Sequence, residues 1–483
     1  MAPLDIQFAT SASTVQTKRS TILDTMNCFG RVREPFALQL LGKKLYICTD
    51  PVDVSTIFDD TESFNFDHHL TDLLNSFGIS NDALRRSWHV PRPGDWCFIP
   101  NNPVNPKQKS LIHCVEDIYR AQLLPGEHMN RWTQKFLNSV RDSLYTMDSL
   151  AFCLQPGGAG SYQGRTLSRV SLYSLVSSIN VQATVNAMFG PRLLNIDPLV
   201  VQYMTTFNEY VWMIIFRCPN VFGSPILAAQ NKLLAAVRTF VQLPEDQRKE
   251  ASWAITNTLK GMEIVGMDLE SKVSMILMIF WAGVSNEHNS CFWLLTHLLY
   301  DETLLNLARE ETESAWQSGH LDIKYLCANS PNLDSIFNEV LRLNNTAAAV
   351  RVASKDTTVG GKHLPAGSTI LMPFRQLHMN ENVWGTGVSE FQPLRFLNRK
   401  SLTRSASFRP FGGGATLCPG QTLARQEIYG FIAALLHRYC VDVTLDSVGN
   451  KPPFPRLNSM TPSFGLNGPI KGTDVFVSIS EKW

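Results

Sequence analysis

Residues 408–420 read FRPFGGGATLCPG, and this stretch decides the fold assignment. The glycines at 412–414 allow backbone conformations that other residues rarely adopt, so the chain there can lie against a flat or bulky group. Cys418 follows, and after Gly420 apolar residues recur at helical spacing. The pattern predicts that Cys418 lies at the N-terminus of a buried helix, with Pro419 in its first turn. Such a position favours a thiolate, because N–H groups and the helix dipole stabilise negative charge.

Four interpretations of Cys418 remain open from the residues alone. It could be a buried structural cysteine, a nucleophile (although no histidine lies nearby in the sequence), or part of a phosphate loop that lacks the GK[ST] residues. The fourth is an iron thiolate beneath a haem. Phe411, Gly414, Cys418 and Gly420 resemble the haem-binding signature FxxGxxxCxG of the cytochromes P-450. The resemblance implies that these four residues bind haem b and that Cys418 is the axial ligand of its iron.

Two further motifs occur in the order that this family requires. Glu339-Val-Leu-Arg342 resembles its ExxR motif, and residues 391–396 resemble the segment whose arginine, here Arg395, completes an ion-pair triad. Without the resemblance, Glu339 and Arg342 would be a solvated i,i+3 pair that contributes little to stability. The resemblance implies instead a structural triad that fixes the following irregular segment, residues 379–417, beneath the haem.

The rest of the chain is predicted to be mainly helical with a small β part. No alternation of strands and helices is visible, so a doubly wound sheet is excluded. The resemblance implies the cytochrome P-450 fold, with one catalytic domain over 31–483 and an N-terminal segment, 1–30, without a membrane anchor. The pattern predicts a hairpin at 36–48 that turns at Gly42-Lys43, a helix from Asp50-Pro51 to Ile57 and an irregular stretch at 60–128. It then predicts mostly helices at 129–345, with a loop at 156–163, and short strands at 350–372. A helix after Cys418 is followed by a tail with short strands.

Composition narrows the function classes. The 483 residues carry a net charge of +1, which gives no electrostatic basis for nucleic acid or an anionic membrane surface as the main partner. Ten cysteines without CxxC or zinc spacing argue against a disulfide scaffold or a zinc site and favour a reducing compartment. The longest apolar run, residues 275–284, is about half of the ~20 residues that a membrane span needs.

A long helix is predicted from 269 to 299, and its centre is unusual. The polar residues at 285–290 cover every face of a helix, so some of them must point inward. In the family this helix crosses the haem, and Ala282-Gly283 match the small pair that allows close approach. The resemblance then leads us to expect an acid and a threonine that deliver protons during turnover. Ser285 and Asn286 stand there instead, which puts the ordinary proton relay in doubt.

Other residues narrow the resemblance within the family. The residues Trp281, Asn286, Phe292 and Trp293, with Ala-Thr-x-Cys-Pro-Gly at 415–420, resemble the branch of steroid 7α- and 12α-hydroxylases and prostacyclin synthase. That branch holds both hydroxylases and a peroxide isomerase. Arg351 matches the arginine that binds a haem propionate in the family; without the resemblance it would be a surface arginine on an edge strand. Thr416 stands where most members carry an arginine or histidine near a propionate.

The resemblance implies a haem-thiolate monooxygenase that uses dioxygen and takes electrons from NADPH through cytochrome P-450 reductase. It places pocket walls in 75–115, 200–220, 275–290, 346–351 and 460–466. The alanines at 347–349 leave room for a bulky lipophilic substrate, such as a steroid, terpenoid, polyketide or alkaloid, as expected in secondary metabolite biosynthesis. The alternatives are a haem-thiolate isomerase that rearranges a peroxide without a reductase and a haem-binding protein without turnover. The sequence does not decide between a soluble form, a peripheral one on the cytosolic face of the endoplasmic reticulum, and a chain whose N-terminus is incomplete.

Overall fold

The computed structural model describes residues 33–40, 43–146, 162–163, 166–218, 224–459 and 461–482. These residues form two compact units, each built from separate stretches of the chain. The first unit comprises the described parts of 1–70, 331–418 and 455–473, and the second those of 71–330, 419–454 and 474–483. The N-terminal segment 1–30, most of the 156–163 loop and Gly42 lie outside the described residues.

The first unit is built around a five-stranded sheet in the order β1-β2-β11-β8-β3. β1 and β2 pair as the predicted hairpin, with Phe36 opposite Ile47, and β11 runs parallel to β2 but antiparallel to β8. Alternating apolar residues from these strands pack into one buried cluster with the helix that follows β2. The strands are β1 (Phe36–Leu40), β2 (Lys43–Ile47), β3 (Phe64–Asn65), β8 (Ala348–Ala353) and β11 (Thr369–Pro373), and β9 (Thr357–Val359) pairs with β10 (Lys362–Leu364).

The helices of the first unit are mostly short. Asp50 caps the first of them by accepting hydrogen bonds from the N–H groups of Val52 and Asp53, and Pro51 occupies its first turn. The helices are α1 (Pro51–Asp59), α2 (Asp67–Ser76), which runs on into the second unit, α15 (Pro331–Asn344), α16 (Phe374–His378), α17 (Glu381–Trp384) and α18 (Arg395–Asn398), with 3₁₀ turns at Lys400–Arg404 and Gly414–Thr416.

The second unit is largely helical, with a four-stranded sheet in the order β12-β13-β5-β4. Its strands are β4 (Tyr162–Gln163), β5 (Thr166–Ser171), β12 (Tyr439–Val443) and β13 (Phe476–Glu481), and β6 (Trp316–Gln317) pairs with β7 (His320–Leu321). Its helices are α3 (Asn81–Trp88), α4 (Leu111–Leu123), α5 (Glu127–Tyr145), α6 (Leu172–Phe189), α7 (Arg192–Ile196), α8 (Val200–Ile215), α9 (Ser224–Gln242), α10 (Trp253–Ile264), α11 (Leu269–Val284), α12 (Glu287–Tyr300), α13 (Glu302–Glu313), α14 (Ile323–Asn329) and α19 (Gln421–Arg438), with a 3₁₀ turn at Glu245–Arg248.

The predicted mainly α fold with a small β part is confirmed. Three local predictions are wrong. The stretch 60–128 is not irregular, because α2, α3 and α4 form there. The long helix predicted from 269 to 299 is broken into α11 and α12 at Ser285 and Asn286. Pro419 is not in the first turn of the last helix, since Gly420 is its N-cap and Gln421 its first residue.

No helix within the described ranges is both long and apolar enough to cross a membrane.

Candidate functional site

The glycine-rich loop of the first unit brings the Cys418 thiol to the surface of that unit. The Cys418 N–H donates to the carbonyl oxygen of Phe411 at 3.0 Å, which closes the loop that contains the glycines. Gly414 has a φ of +58°, and a Cβ there would lie 2.4 Å from the carbonyl oxygen of Phe58. Only glycine fits this position without displacing the backbone. Among the cysteines that the structure describes, Cys418 alone is exposed.

Arg351 lies beside this loop and is almost fully buried, so it is not a surface residue. It sits in β8, between β11 and β3, and its guanidinium donates to Thr416 Oγ1 at 2.5 Å. The same group lies over the rings of Phe58 and Phe66 at 5.0 and 5.3 Å. Burial lowers the pKa of Arg351 to about 10, so it still carries its charge at neutral pH. A buried cation without a carboxylate partner is suited to an anionic group of a ligand.

Glu339, Arg342 and Arg395 form a buried cluster in the first unit. Arg342 donates to both carboxylate oxygens of Glu339 at 2.7 and 2.8 Å, and Arg395 Nε lies 3.1 Å from each of them. Glu339 and Arg342 are fully buried, which excludes the solvated pair considered above. Arg342 and Arg395 also donate to backbone carbonyls in the irregular segment. These carbonyls belong to His378, Val388, Glu390 and, for Arg395, Trp384.

His378 makes a second connection to the glycine-rich loop, which the sequence reasoning missed. Its Nδ1 lies 3.2 Å from the carbonyl oxygen of Arg342, and its Nε2 accepts the Arg409 N–H at 3.0 Å. Because the carbonyl can only accept, Nδ1 carries the ring hydrogen. Burial, helped by the charge of Arg342, lowers the pKa of His378 to about 3, so the ring stays neutral. One imidazole therefore joins α15 to the start of the loop.

In the second unit, the predicted oxygen-side residues lie at the junction of α11 and α12. Ala282 and Gly283 are exposed although Trp281 and Val284 beside them are buried. A Cβ on Gly283 would lie 2.8 Å from Cε of Met188, so glycine lets α11 pack closely against α6. We call the junction of α11 and α12, at Ser285 and Asn286, the helix break.

Ser285 and Asn286 occupy the helix break and contact each other. The Asn286 amide donates to Ser285 Oγ at 3.0 Å. Neither side chain titrates near neutral pH, so neither can act as a proton donor of the kind that a carboxyl group provides.

Side chains of the polar run at 285–290 donate hydrogen bonds to backbone carbonyl groups at the helix break. His288 Nδ1 lies 2.9 Å from the carbonyl oxygen of Val284. Asn289 donates to the carbonyl of Ser285, and Ser290 Oγ to that of Asn286. Each of these bonds spans four residues. The side chains of His288 and Asn289 therefore supply donors where the helix is interrupted, whereas Ser290 Oγ adds to the bond that the Ser290 N–H already makes to Asn286. The run is therefore buried polar structure rather than a surface patch.

Two buried carboxyl groups lie next to the helix break, and the sequence reasoning missed both. Glu287, the first residue of α12, is hydrogen-bonded to Glu427 of α19. Glu427 Oε1 accepts from Trp132 Nε1 at 2.8 Å, and Glu287 Oε2 lies 3.4 Å from Thr184 Oγ1. We call these two residues the carboxyl pair. A glutamate within the apolar pattern of α19 was the available sequence signal.

The chemistry of the first unit fits a haem group. Cys418 offers an exposed thiol at the end of a loop whose glycines leave room for a flat ligand, and Arg351 offers a buried cation for a carboxylate.

Comparisons with known proteins agree with this chemistry. A family model described as Cytochrome P-450 matches residues 165–466, more than half of the chain. A cytochrome P-450 monooxygenase of Gibberella zeae is 27% identical over 303 residues, which cover 58% of this chain and 57% of that protein. The cytochrome P-450 monooxygenase poxD of Penicillium oxalicum is 22% identical over 423 residues, which cover 84% and 80%. The beta-amyrin 11-oxidase of Glycyrrhiza uralensis is 26% identical over 284 residues, covering 56% and 57%.

These matches make the chain an oxidoreductase of the monooxygenase type. Its cofactor is a haem whose iron has a thiolate ligand, and it uses dioxygen, an organic substrate and electrons from a redox partner. The steroid-hydroxylase and prostacyclin-synthase branch remains a prediction. The chain belongs to the cytochrome P-450 family.

Proposed function

We propose that this chain inserts oxygen into a bulky lipophilic small molecule, with Cys418 as the axial ligand of the haem iron. The exposed thiol of Cys418, at the end of a loop closed by its own N–H, is the observation that carries the proposal. In this proposal Phe411, Gly414 and Gly420 shape the haem loop, Arg351 binds a haem propionate, and electrons come from NADPH through cytochrome P-450 reductase. Residues 31–483 act as one catalytic domain, with peripheral contact to a membrane.

Each residue has a defined task under this proposal. When bound, haem supplies the activation of dioxygen, and a thiolate ligand favours O–O cleavage. The loop keeps the Cys418 thiol presented, and Thr416 holds the Arg351 guanidinium in place. Ala282 and Gly283 leave the last turn of α11 without large side chains, and Ser285 with Asn286 orients water at the helix break. Glu339, Arg342 and Arg395 hold the irregular segment and take no part in the chemistry.

Small and apolar residues in the first unit support a bulky substrate. Residues 347–349 are three alanines beside the segment 461–466, since the Thr346 N–H donates to the carbonyl oxygen of Gly465. Phe464 in that segment is partly exposed. Three methyl side chains leave space that larger residues would fill, and an exposed aromatic ring attracts apolar ligands. We infer a steroid, terpenoid, polyketide or alkaloid as the substrate class, in a secondary metabolite pathway.

Replacing Cys418 by alanine tests the haem ligand. The wild type should give the carbon-monoxide difference band of thiolate-ligated haem, and Cys418→Ala should lose it. Cys440→Ala is the matched control, because Cys440 is a partly buried cysteine in β12 and should leave the band unchanged. A Cys418→Ala protein that keeps the thiolate band would contradict the assignment.

Labelled dioxygen tests the reaction type. Purified protein with reductase and NADPH should convert a member of the proposed substrate class to a product that contains one labelled oxygen atom. Omitting the reductase should stop the reaction. Conversion of a peroxide substrate without any reductant, and without incorporation of label, would instead establish the isomerase alternative, which the Ser285-Asn286 sequence permits.

A further inference from the structure

The carboxyl pair is buried without a compensating cation. Glu287 and Glu427 are 8% and 5% exposed, and no ion pair involves either of them in the described parts of the chain. Within the same parts, Glu287 Oε1 receives no hydrogen bond from any donor group. An unpaired buried carboxylate oxygen is costly, so this atom needs a proton or a donor. The adjoining carboxyl of Glu427 can supply one only if the two groups hold a proton between them.

The surroundings favour one shared proton. Two carboxylates in contact in a dry site do not both ionise, because each charge opposes the other. The groups that face the pair are Trp132 Nε1 on α5, Thr184 Oγ1 on α6 and the Cys291 thiol on α12. Trp132 and Thr184 are uncharged hydrogen-bond donors. Burial raises the pKa of the Cys291 thiol and so keeps it neutral, and none of the three groups carries a positive charge.

Titration of the two groups agrees with this arrangement. Burial and the neighbouring Glu427 raise the pKa of Glu287 well above its ordinary value. Burial also raises the pKa of Glu427, to about 8, against the lowering effect of the hydrogen bond from Trp132. The pair therefore retains a proton at neutral pH and begins to lose it near pH 8.

The carboxyl pair lies next to Ser285, the position at which the resemblance leads us to expect an acid. Glu287 directly follows Asn286, and it lies one helical turn beyond Gly283, on the side of the helix break that faces α6. His288 and Tyr173 are further titratable groups there, and burial raises the pKa of the Tyr173 phenol, which donates to Asn289. The ring hydrogen of His288 is committed to the carbonyl of Val284, and burial lowers the pKa of His288 to about 4, so it holds no second proton at neutral pH.

We propose that Glu287 and Glu427 share one proton and supply it to the helix break, in place of the acid that Ser285 replaces. The role rests on the proposed monooxygenase function, in which substrate, dioxygen, two electrons and two protons give hydroxylated substrate and water. The pair passes a proton through water ordered by Ser285 and Asn286 and regains one from solvent, so it is unchanged after each turnover. Neither glutamate touches the substrate, and both are positioning residues.

Infrared spectroscopy of the resting protein tests the shared proton without turnover. The wild type should show the carbonyl band of a buried protonated carboxyl at pH 7, shifted in D₂O and titrating above about pH 8. The double variant Glu287→Gln/Glu427→Gln should remove this band, whereas each single variant should shift it, because burial still keeps the remaining carboxyl protonated beside an amide. Thr133→Val is the matched control, since it removes the bond from Thr133 on α5 to Gln426, the residue of α19 that precedes Glu427. Absence of the band in the wild type would overturn the proposal.

Turnover experiments test the supply of protons. In Glu287→Gln, product formation should fall by about 100-fold, the lower end of what a positioned acid contributes, while NADPH oxidation continues and hydrogen peroxide rises. The decline of wild-type coupling above pH 8 should disappear in this variant, and Glu287→Asp should restore part of the activity. Thr133→Val should keep the wild-type coupling and pH profile.

The outcomes separate the two proposals. A Glu287→Gln protein with wild-type coupling and pH profile would overturn the relay role alone. Wild-type protein that oxidises no substrate with reductase and NADPH would contradict the proposed function and the relay role together, while the infrared band still decides whether the pair holds a proton.

Discussion

At the scale of single residues, Glu339 shows how one carboxylate can organise an irregular segment. It accepts from both arginines of the cluster, and other N–H groups of those arginines donate to backbone carbonyls of residues 378–390. Such a segment has few backbone partners of its own, so its carbonyls need donors from elsewhere. The arginines of the cluster provide these donors at fixed positions, which gives the segment one conformation.

Arg395→Ala should therefore destabilise the protein rather than alter its selectivity. Removing one cation leaves Glu339 buried and undercompensated, which typically costs about 3–5 kcal/mol. Urea unfolding should show this loss, and the variant should retain little haem. Arg399→Ala is the control, because Arg399 ends the same short helix but is exposed, and its unfolding free energy should change by less than about 0.5 kcal/mol. A stable, haem-loaded Arg395→Ala protein with a changed product profile would count against the structural role.

At the scale of elements, the helix break shows what a sequence pattern leaves undetermined. Periodicity indicates that 269–299 is helical and that some polar residues at 285–290 point inward. It does not reveal that His288, Asn289 and Ser290 donate to carbonyls four residues earlier, because that depends on where the backbone ladder is interrupted. Ser, Asn and His have low helix propensity, which is consistent with a break in this run but does not fix its position.

His288→Phe should weaken the helix break measurably. Phenylalanine fills a similar volume but leaves the carbonyl oxygen of Val284 without the donor of His288, at a cost of about 1–3 kcal/mol. Ser290→Ala is the matched control, because the carbonyl of Asn286 keeps the Ser290 N–H as a donor and little should be lost. Unfolding free energies from urea titrations should separate the two variants. Equal losses would show that the imidazole does not stabilise the helix break.

At the scale of the whole molecule, short motifs were predictable from the sequence and distant pairings were not. FxxGxxxCxG lies within ten residues, so its spacing alone identifies the loop and the family. Glu287 and Glu427 are far apart in the chain, and nothing local marks them as partners. The helices at 60–128 were missed because proline-rich connections obscure their periodicity. Which residues pair and which segments form helices depends on which side chains are buried, and burial depends on packing between distant segments.

Opposing titrations should set the pH at which the whole protein is most stable. Burial lowers the pKa values of His288, His297 and His378 to about 4, 3 and 3. Below about pH 6.5 these histidines are therefore protonated in the unfolded chain while they remain neutral in the folded protein. Stability from these histidines is complete above pH 6.5 and is lost as the pH falls. The folded pKa of Glu287 is raised, and that of Glu427 is raised to about 8, so the stability from their retained proton is complete below about pH 4.3 and is lost as the pH rises through these folded pKa values.

The three histidines outweigh the single proton that the glutamate pair retains below pH 6.5, and the pair alone acts above it, so the melting temperature should be highest near pH 6.5. Each proton changes stability by about 1.4 kcal/mol per pH unit. Thermal unfolding between pH 5 and 9 measures both slopes. Glu287→Gln should flatten the fall in melting temperature above pH 6.5 and steepen the rise below it, whereas His297→Asn should flatten only the rise below pH 6.5. A melting temperature that rises steadily from pH 5 to 9 would mean that the two glutamates are ionised in the folded protein, because only then would no stability be lost as they release their protons.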